Sequence, residues 1–187
     1  MKKIMFNDRY GLTQAVLEGR KTMTRRIAGM HPDDDMDNGN MDVFDTPKYK
    51  PGEVVAVAQS YEAIMDEMMG GNYGEGYGDG VYDAFRNAMV ADTPGWDNKM
   101  FVRADLMPHQ IRITNVRIER MQDITDEDCL REGIFLGQFH TYSFVGRGRI
   151  PFNTPREGFA ALIDKVSGKG TWESNPYAFV YEFELVR

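Results

Sequence analysis

The sequence lacks most of the features that define secreted, membrane and metal-binding proteins. Its 187 residues include one cysteine, Cys129, which excludes an intramolecular disulfide and a multi-thiolate metal site. The three histidines, His31, His109 and His140, show no metal-ligand spacing, so we expect neither a metal nor a cofactor. No apolar run approaches the about 18 residues of a membrane span, and the N-terminus has no apolar signal segment. We therefore expect a cytoplasmic protein without a membrane partner.

The chain also lacks an excess of positive charge, since 29 Asp and Glu residues outnumber 22 Lys and Arg residues and the formal net charge is −7. A protein that coats nucleic acid through bulk electrostatics is expected to be basic, so this class is disfavoured, although a local basic pocket stays open. Much of the negative charge lies in residues 31–42 and 72–83, which we expect to be exposed loops. The first loop does not match a calcium-binding loop from Asp33, because Asn38 and Phe44 occupy the glycine and glutamate positions.

Helix signals are clearest in three segments of the chain. These are residues 8–19, 125–133 and 154–168. The second has a capping-box-like start, Thr125 with Asp128 three residues on. In the third, Thr154 is a candidate N-cap, Pro155 fits the first turn, and Glu157 completes a capping box. Residues 61–100 also carry some helical spacing, but glycine interrupts it, and we interpret this stretch as an insertion with one or two short helices.

Strand signals lie at residues 4–6, 54–58, 111–122 and 177–185. The apolar phase of the third slips at residues 114–115, which predicts a β-bulge, and the fourth alternates as a half-buried strand. With no βαβ rhythm, the pattern predicts an α+β fold: a small, mostly antiparallel β-barrel with short flanking helices and the insertion. We expect residues 1–187 to form one domain.

The segment "GRKTMTRR" at residues 19–26 concentrates cations and threonines after the first predicted helix. Arg20, Arg25 and Arg26 are candidate phosphate or ribose contacts, because a guanidinium fork suits phosphate geometry. Lys21 and Thr24 either join this binding surface or carry out chemistry. Taken singly, Lys21 is a candidate phosphate contact and Thr24 a locally hydrogen-bonded strand residue.

Four sequence blocks in order resemble an ASCH-domain protein of the PUA-like superfamily, in the longer version that phages and prophages encode. The blocks are residues 15–27, 49–62, 111–134 and 172–186. The family signature G-x-K-x-x-x-x-R is matched by Gly19, Lys21 and Arg26. The resemblance implies a small β-barrel with a cleft for RNA or a nucleobase. Some compact bacterial members are amidohydrolases that deacylate N4-acetylcytidine, and their working residues correspond to Lys21, Thr24 and Glu132.

Amide hydrolysis needs the residue types that this resemblance selects. Thr24 would be the nucleophile and Lys21 the general base that a dry pocket deprotonates. Glu132 would be the acid that protonates the leaving cytosine amine, or the group that orients the edge of the nucleobase. Glu132 also lies at the C-terminal end of a predicted helix, where the macrodipole disfavours a carboxylate. The alternative for Glu132 is a surface carboxylate that pairs with Arg131 or with another cation.

Three functions therefore stay open at this level. The first is hydrolysis of an N4-acyl amide on a cytidine-class nucleoside or RNA nucleotide, and the second is an RNA-binding module without catalysis. The third is a phage-encoded interaction protein that uses the acidic insertion as its contact surface. The Gly-rich stretch at residues 70–80 has neither the spacing nor the lysine of a phosphate-binding loop, so we interpret it as a flexible loop.

Overall fold

The computed structural model describes residues 1–29, 46–70, 94–146 and 151–186, apart from the side chains of residues 68–70. The acidic loop predicted at residues 31–42 and most of the glycine-rich stretch lie outside the described residues. The second short helix expected within the insertion lies outside them as well. The first is confirmed, because an α-helix begins at Tyr61.

The described chain is an α+β structure built on a five-stranded, mostly antiparallel sheet, which confirms the predicted class. The strands are β1 (Lys3–Ile4), β2 (Met23–Ile27), β3 (Val54–Val57), β4 (Gln110–Arg120), β5 (Phe135–Leu136), β6 (Tyr142–Ser143) and β7 (Tyr177–Val186). The helices are α1 (Leu12–Leu17), α2 (Tyr61–Gly70), α3 (Asp126–Arg131), α4 (Pro155–Ser167) and α5 (Thr171–Ser174). None of the helices in the described ranges is long and apolar enough to cross a membrane.

The main sheet has the strand order β1-β3-β4-β7-β2. β1 runs parallel to β3, whereas β2 runs antiparallel to β7 with Thr24 opposite Tyr181. The described strands leave β1 and β2 at the two edges and do not close on each other, so closure into a barrel stays a prediction. β5 and β6 form a separate antiparallel hairpin that the sequence did not predict.

The chain divides into two compact units. Unit one comprises residues 1–6, 54–111 and 186–187, and unit two comprises residues 7–53 and 112–185. In unit one, a buried cluster includes Tyr61, Ile64 and Val102. In unit two, Phe159 and Cys129 are among the buried residues. The prediction of one domain with an insertion at about residues 61–100 is not tested by this division.

The predicted change of phase in β4 is supported by its charged side chains. Arg112 donates to Glu184 at 3.0 Å, and Arg117 donates to Glu182. Glu182 and Glu184 are two positions apart on β7 and share one face, whereas Arg112 and Arg117 are five apart and would lie on opposite faces of a regular strand. The strand therefore changes phase between residues 112 and 117, as a bulge at residues 114–115 requires.

The prediction that the last strand is half-buried is wrong for its first half. Ala178, Phe179, Val180 and Tyr181 are consecutive and all buried. β7 lies inside the sheet, between β4 and β2. Alternation fails here because this part of the strand is covered on both faces, so polar residues have no exposed side to occupy.

The predicted helix caps are confirmed. The Thr125 hydroxyl accepts a hydrogen bond from the Asp128 amide at 3.1 Å, and the Thr154 hydroxyl accepts one from the Glu157 amide at 3.1 Å. The first helix begins at Leu12, later than the predicted residue 8, because residues 8–10 form a separate 3₁₀ turn. These caps fix the ends of α3 and α4 in unit two.

Gly133 and Gly168, which end α3 and α4, provide a matched test of how the chain leaves these helices. Both have positive φ, 109° and 112°, but a Cβ on Gly133 would lie 3.1 Å from Leu12 Cδ2, and one on Gly168 would meet nothing within 4 Å. We expect Gly168→Ala to lower the free energy of unfolding by about 1 kcal/mol, from backbone strain alone. Gly133→Ala should cost about 2 kcal/mol or more, because Leu12 must also move. Urea unfolding measures both, and equal losses would contradict the packing argument.

Candidate functional site

A buried ion pair joins Lys21 to Glu132 inside unit two. The Lys21 ammonium lies 2.7 Å from Glu132 Oε2 and also donates to the Glu132 main-chain carbonyl at 2.7 Å. The two residues are 111 positions apart in the sequence, yet their side chains are only 2% and 5% exposed. Charged groups are rarely buried to this extent unless they are paired, so each residue depends on the other. Glu132 is therefore not a surface carboxylate: it is buried, and its partner is another cation, Lys21, rather than Arg131.

Backbone contacts hold Lys21 in this position. Gly19 leaves α1 with a φ of +73°, and the Lys21 amide then donates to the carbonyl of Ala15 at 2.8 Å. The next amide, that of Thr22, donates to the carbonyl of Arg131 at 3.0 Å. The segment before β2 is thereby attached directly to the end of α3, beside Glu132.

Glu132 is positioned by the way α3 ends. Gly133 donates to the carbonyl of Leu130, and Ile134 donates to the carbonyl of Cys129. This pair of hydrogen bonds is a Schellman motif, which closes a helix and turns the chain away. Lys21 binds both the carbonyl and the carboxylate of Glu132, so a cation compensates the acidic residue that the macrodipole disfavours at this helix end.

Arg25 extends the pair into a cluster of carboxylates. Its side chain is 0% exposed and lies 3.0 Å from Glu119, 3.2 Å from Asp128 and 3.4 Å from Glu132. Its Nε is buried and has no hydrogen-bond partner among the described residues. The structure thus differs from the expectation of a phosphate contact, because β2 directs Arg25 toward carboxylates that already occupy its terminal nitrogens.

The cluster continues outward through alternating charges. Its members within the described chain are the cations Lys21, Arg25, Arg117 and Arg131 and the carboxylates Glu119, Asp128, Glu132 and Glu182. We call this set the ion network. Four cations balance four carboxylates, which is the condition for burying charge without a large net cost. Arg117 and Arg131 are 30% and 33% exposed, so the network runs from a dry end at Lys21 to a wetter end.

Thr24 is buried next to this network but does not join it. On β2, alternation places its side chain on the face opposite Arg25, the same face as its cross-strand partner Tyr181. Within the described ranges, the Thr24 hydroxyl makes no hydrogen bond to Lys21 or to Glu132. The structure therefore brings together two of the three residues that the sequence selected as catalytic, and it places the third on the other side of the strand.

The remaining two predicted binding residues are more accessible. Arg20 is exposed and donates from Nε to Glu18 at 2.7 Å. Arg26 is half-buried on β2, opposite Phe179. Of the four cations between residues 20 and 26, these two are the less buried.

Burial shifts the protonation of two residues at the dry end. It lowers the pKa of Lys21 from 10.5, and Glu132 opposes this shift while Arg26 and Arg25 add to it. A lower pKa makes the neutral, proton-accepting amine easier to reach. Burial also raises the pKa of Cys129 to about 12, so this thiol stays protonated and is a poor nucleophile.

Sequence reasoning missed most of the carboxylates in the network. Glu119 and Glu182 are charged residues within strands β4 and β7, and charge within such strands is the signal that was available. For Asp128, the sequence indicates only a place in the capping-box-like start of α3. Across the described residues, no group of three or more His, Cys, Asp and Glu side chains is placed to hold a metal ion.

Comparisons with known proteins add little to this geometry. No family model matches the chain, and no curated protein matches it. The chain is similar to the crystal structure of protein EF3133 from Enterococcus faecalis, described as DUF984, with 16% identity and a TM-score of 0.37. The similarity covers 94% of this chain and 66% of that protein, and at this score it carries no argument about function.

The coupling within the pair is testable by a double-mutant cycle. Lys21→Met should lower the free energy of unfolding by about 3 kcal/mol, because Glu132 keeps a buried charge with less compensation. The double variant Lys21→Met/Glu132→Met should then lose about 1–3 kcal/mol less than the sum of the losses of the two single variants. Arg112→Met, in the exposed pair with Glu184, should cost less than about 1 kcal/mol. Additive losses at residues 21 and 132 would contradict the coupling.

The pKa of Lys21 gives a second test, with a defined sign. Folding lowers this pKa, so between the lowered value and 10.5 the unfolded chain binds more protons, and the free energy of unfolding should rise with pH in that window. Glu132→Gln removes the carboxylate that opposes the shift, so the pKa should fall further. Lysine side-chain NMR measures both values. An unchanged or higher pKa in Glu132→Gln would contradict this account.

Proposed function

We propose that the chain is an ASCH-type, PUA-like protein that recognises a cytidine-class nucleoside or RNA nucleotide and hydrolyses its N4-acyl amide. The closed β-barrel and the cleft that the family resemblance implies belong to this proposal. The observation that carries it is the buried 2.7 Å contact between Lys21 and Glu132. Two groups that exchange protons are thereby held together away from water, at positions that the resemblance selects for catalysis.

Lys21 is the proton acceptor in this proposal. Its amine must be neutral to accept a proton, and burial lowers its pKa in that direction. Glu132 orients the amine through one carboxylate oxygen and stabilises the ammonium that forms when the proton arrives. A base and its orienting carboxylate in hydrogen-bond contact are the arrangement that general base catalysis requires.

The reaction has two possible nucleophiles. The Thr24 hydroxyl, which the resemblance selects, would attack the acyl carbon, give its proton to Lys21 and form an ester as the bond to N4 breaks. Water would then hydrolyse the ester. Alternatively, a water molecule activated by the pair attacks directly. In both cases the leaving N4 amine takes up a proton, and the products are cytidine and a carboxylic acid. The position of Thr24 across β2 makes a separate test of the two routes necessary.

Arg20 and Arg26 are the proposed contacts to the sugar or phosphate of the ligand. Both belong to the segment at residues 19–26, and both are more accessible than Arg25 and Lys21. A guanidinium group can bind two oxygens of a phosphate or ribose at once. This part of the proposal concerns binding only, since neither residue belongs to the ion network.

The test is release of cytidine from N4-acetylcytidine by the purified chain. Lys21→Ala and Glu132→Gln should each lower kcat/KM by about a hundredfold or more, because each removes one half of the proton-transfer pair. Lys169→Ala, a change at an exposed lysine outside the network, is the control and should have no effect. Thr24→Ser should keep activity if the hydroxyl attacks, and Thr24→Val should abolish it.

Three outcomes decide the proposal. No release of cytidine by the wild-type chain would reject hydrolysis of this substrate. Release that is unaffected by Lys21→Ala would reject the role of the pair. Full activity in Thr24→Val would assign the attack to water and leave the pair as the catalytic centre. Thermal unfolding of each variant shows that a lost activity is not a lost fold.

A further inference from the structure

The Glu132 carboxylate is held by two cations, one on each oxygen. Lys21 Nζ lies 2.7 Å from Oε2, and Arg25 Nη1 lies 3.4 Å from Oε1. Within the described ranges, no third cation is paired with this carboxylate. The proposed function assigns roles to Lys21 and Glu132 but none to Arg25, whose side chain is 0% exposed and so is closed to solvent.

The Arg25 guanidinium is fixed in place by two further carboxylates. Its Nη2 lies 3.0 Å from Glu119 Oε2 and 3.2 Å from Asp128 Oδ2, so these contacts and the one to Glu132 use different terminal nitrogens. Asp128 lies in the first turn of α3, Glu132 directly follows that helix, and Glu119 lies on β4. Because a guanidinium is planar and rigid, carboxylates from two elements set its direction toward Glu132.

Arg25 keeps its charge when Lys21 becomes neutral. A guanidinium does not deprotonate in proteins, whereas burial lowers the pKa of Lys21. Once Lys21 loses its proton, the Glu132 carboxylate, at 5% exposure, needs another cation, because an uncompensated buried charge is costly. Arg25 is the cation that then remains in contact with Glu132.

Other charged or titratable groups surround these three residues without taking Arg25 away from Glu132. They are Arg26 on β2, Arg117 and Glu119 on β4, Asp128, Cys129 and Arg131 on α3, and Glu182 on β7. Arg117 contacts all three carboxylates in this list, so none of them depends on Arg25 alone. Burial raises the pKa of Cys129 to about 12, so its thiol adds no charge at neutral pH.

We propose that Arg25 is a positioning residue for the general base: it holds Glu132 and supplies the counter-charge that lets Lys21 exist as a neutral amine beside a buried carboxylate. This inference rests on the proposed function, because that reaction needs the neutral amine. Arg25 contacts neither the substrate nor the reacting atoms, and it acts on Lys21 through Glu132.

Action through Glu132 differs measurably from simple repulsion between two cations. Repulsion alone means that loss of Arg25 favours the Lys21 ammonium to the same extent whether or not residue 132 carries a charge. In the positioning role, loss of Arg25 leaves the Glu132 carboxylate to Lys21 alone, so most of the effect requires that carboxylate. The two mechanisms therefore separate in a double-mutant cycle.

The cycle follows the pKa of Lys21 by lysine side-chain NMR on the full chain, with the Lys21 signal identified by its loss in Lys21→Met. Arg25→Met should raise this pKa, and the rise should be much smaller when Glu132→Gln is also present. Arg26→Met is the matched control. Arg26 also lowers the pKa of Lys21 but lies on the other face of β2, so its removal should raise the pKa equally in both backgrounds. An absent rise, or an equal rise in both backgrounds, for Arg25→Met would overturn the proposal.

A charge-balanced variant keeps the test valid if Arg25→Met does not fold. Arg25→Met/Asp128→Asn removes one cation and one carboxylate that are paired with each other. The net charge around Lys21 is then unchanged, yet Glu132 still loses its second cation. The pKa of Lys21 should rise in this variant as well, and an unchanged or lower pKa would reject the role of Arg25.

The pH dependence of N4-acetylcytidine hydrolysis shows whether this positioning serves the reaction. Arg25→Met should lower kcat/KM at neutral pH by about tenfold or more, and activity should approach that of the wild-type chain at high pH, where Lys21 is neutral without help. A loss of equal size at every pH would indicate a structural role only and reject positioning. If the wild-type chain releases no cytidine but the NMR cycle gives the expected result, the proposed function fails and the action of Arg25 through Glu132 stands.

Discussion

The burial of the Lys21 ammonium against Glu132 is the constraint on which the rest of unit two depends. A charge at 2% exposure is stable only when its partner is held in place, so the chain must fix two segments that are 111 positions apart. It does so with backbone groups: the amides of Lys21 and Thr22 anchor one segment, and the Schellman motif after α3 fixes the other. The contact between Lys21 and Glu132 therefore joins the segment before β2 to the end of α3.

The same constraint explains why the network is larger than a pair. Arg25 lies two positions beyond Met23 on β2 and therefore on the same face of the strand. It approaches the buried Glu132 carboxylate and brings a second buried cation that needs carboxylate partners. Glu119 and Asp128 supply them, and Arg117 in turn offsets these two near solvent. A buried charge therefore propagates into an alternating series until exposure makes further compensation unnecessary.

Much of this fold followed from local rules, and most of the site did not. The caps at Thr125 and Thr154 and the phase change in β4 are local, because neighbouring residues determine them. Burial of β7 on both faces and the ion network depend on which strands lie side by side, which a single sequence does not state. The residue types at positions 21 and 132 were selected by family resemblance. The contact between Lys21 and Glu132, and the position of Thr24 on the other face of β2, depend on the tertiary structure.

The pairing of basic residues in segment 19–26 with carboxylates of the same protein bears on which ligand the proposed site recognises. The segment at residues 19–26 suggests four positive charges for a polyanion, but Lys21 and Arg25 are neutralised inside the protein and Arg20 is paired with Glu18. On a chain with a net charge of −7, this leaves little attraction for a long phosphate backbone. A nucleoside or a single nucleotide needs no such attraction, because base contacts and a few hydrogen bonds suffice to hold it. Within the proposed function, the charge distribution therefore favours a small cytidine-class substrate over an extended RNA strand.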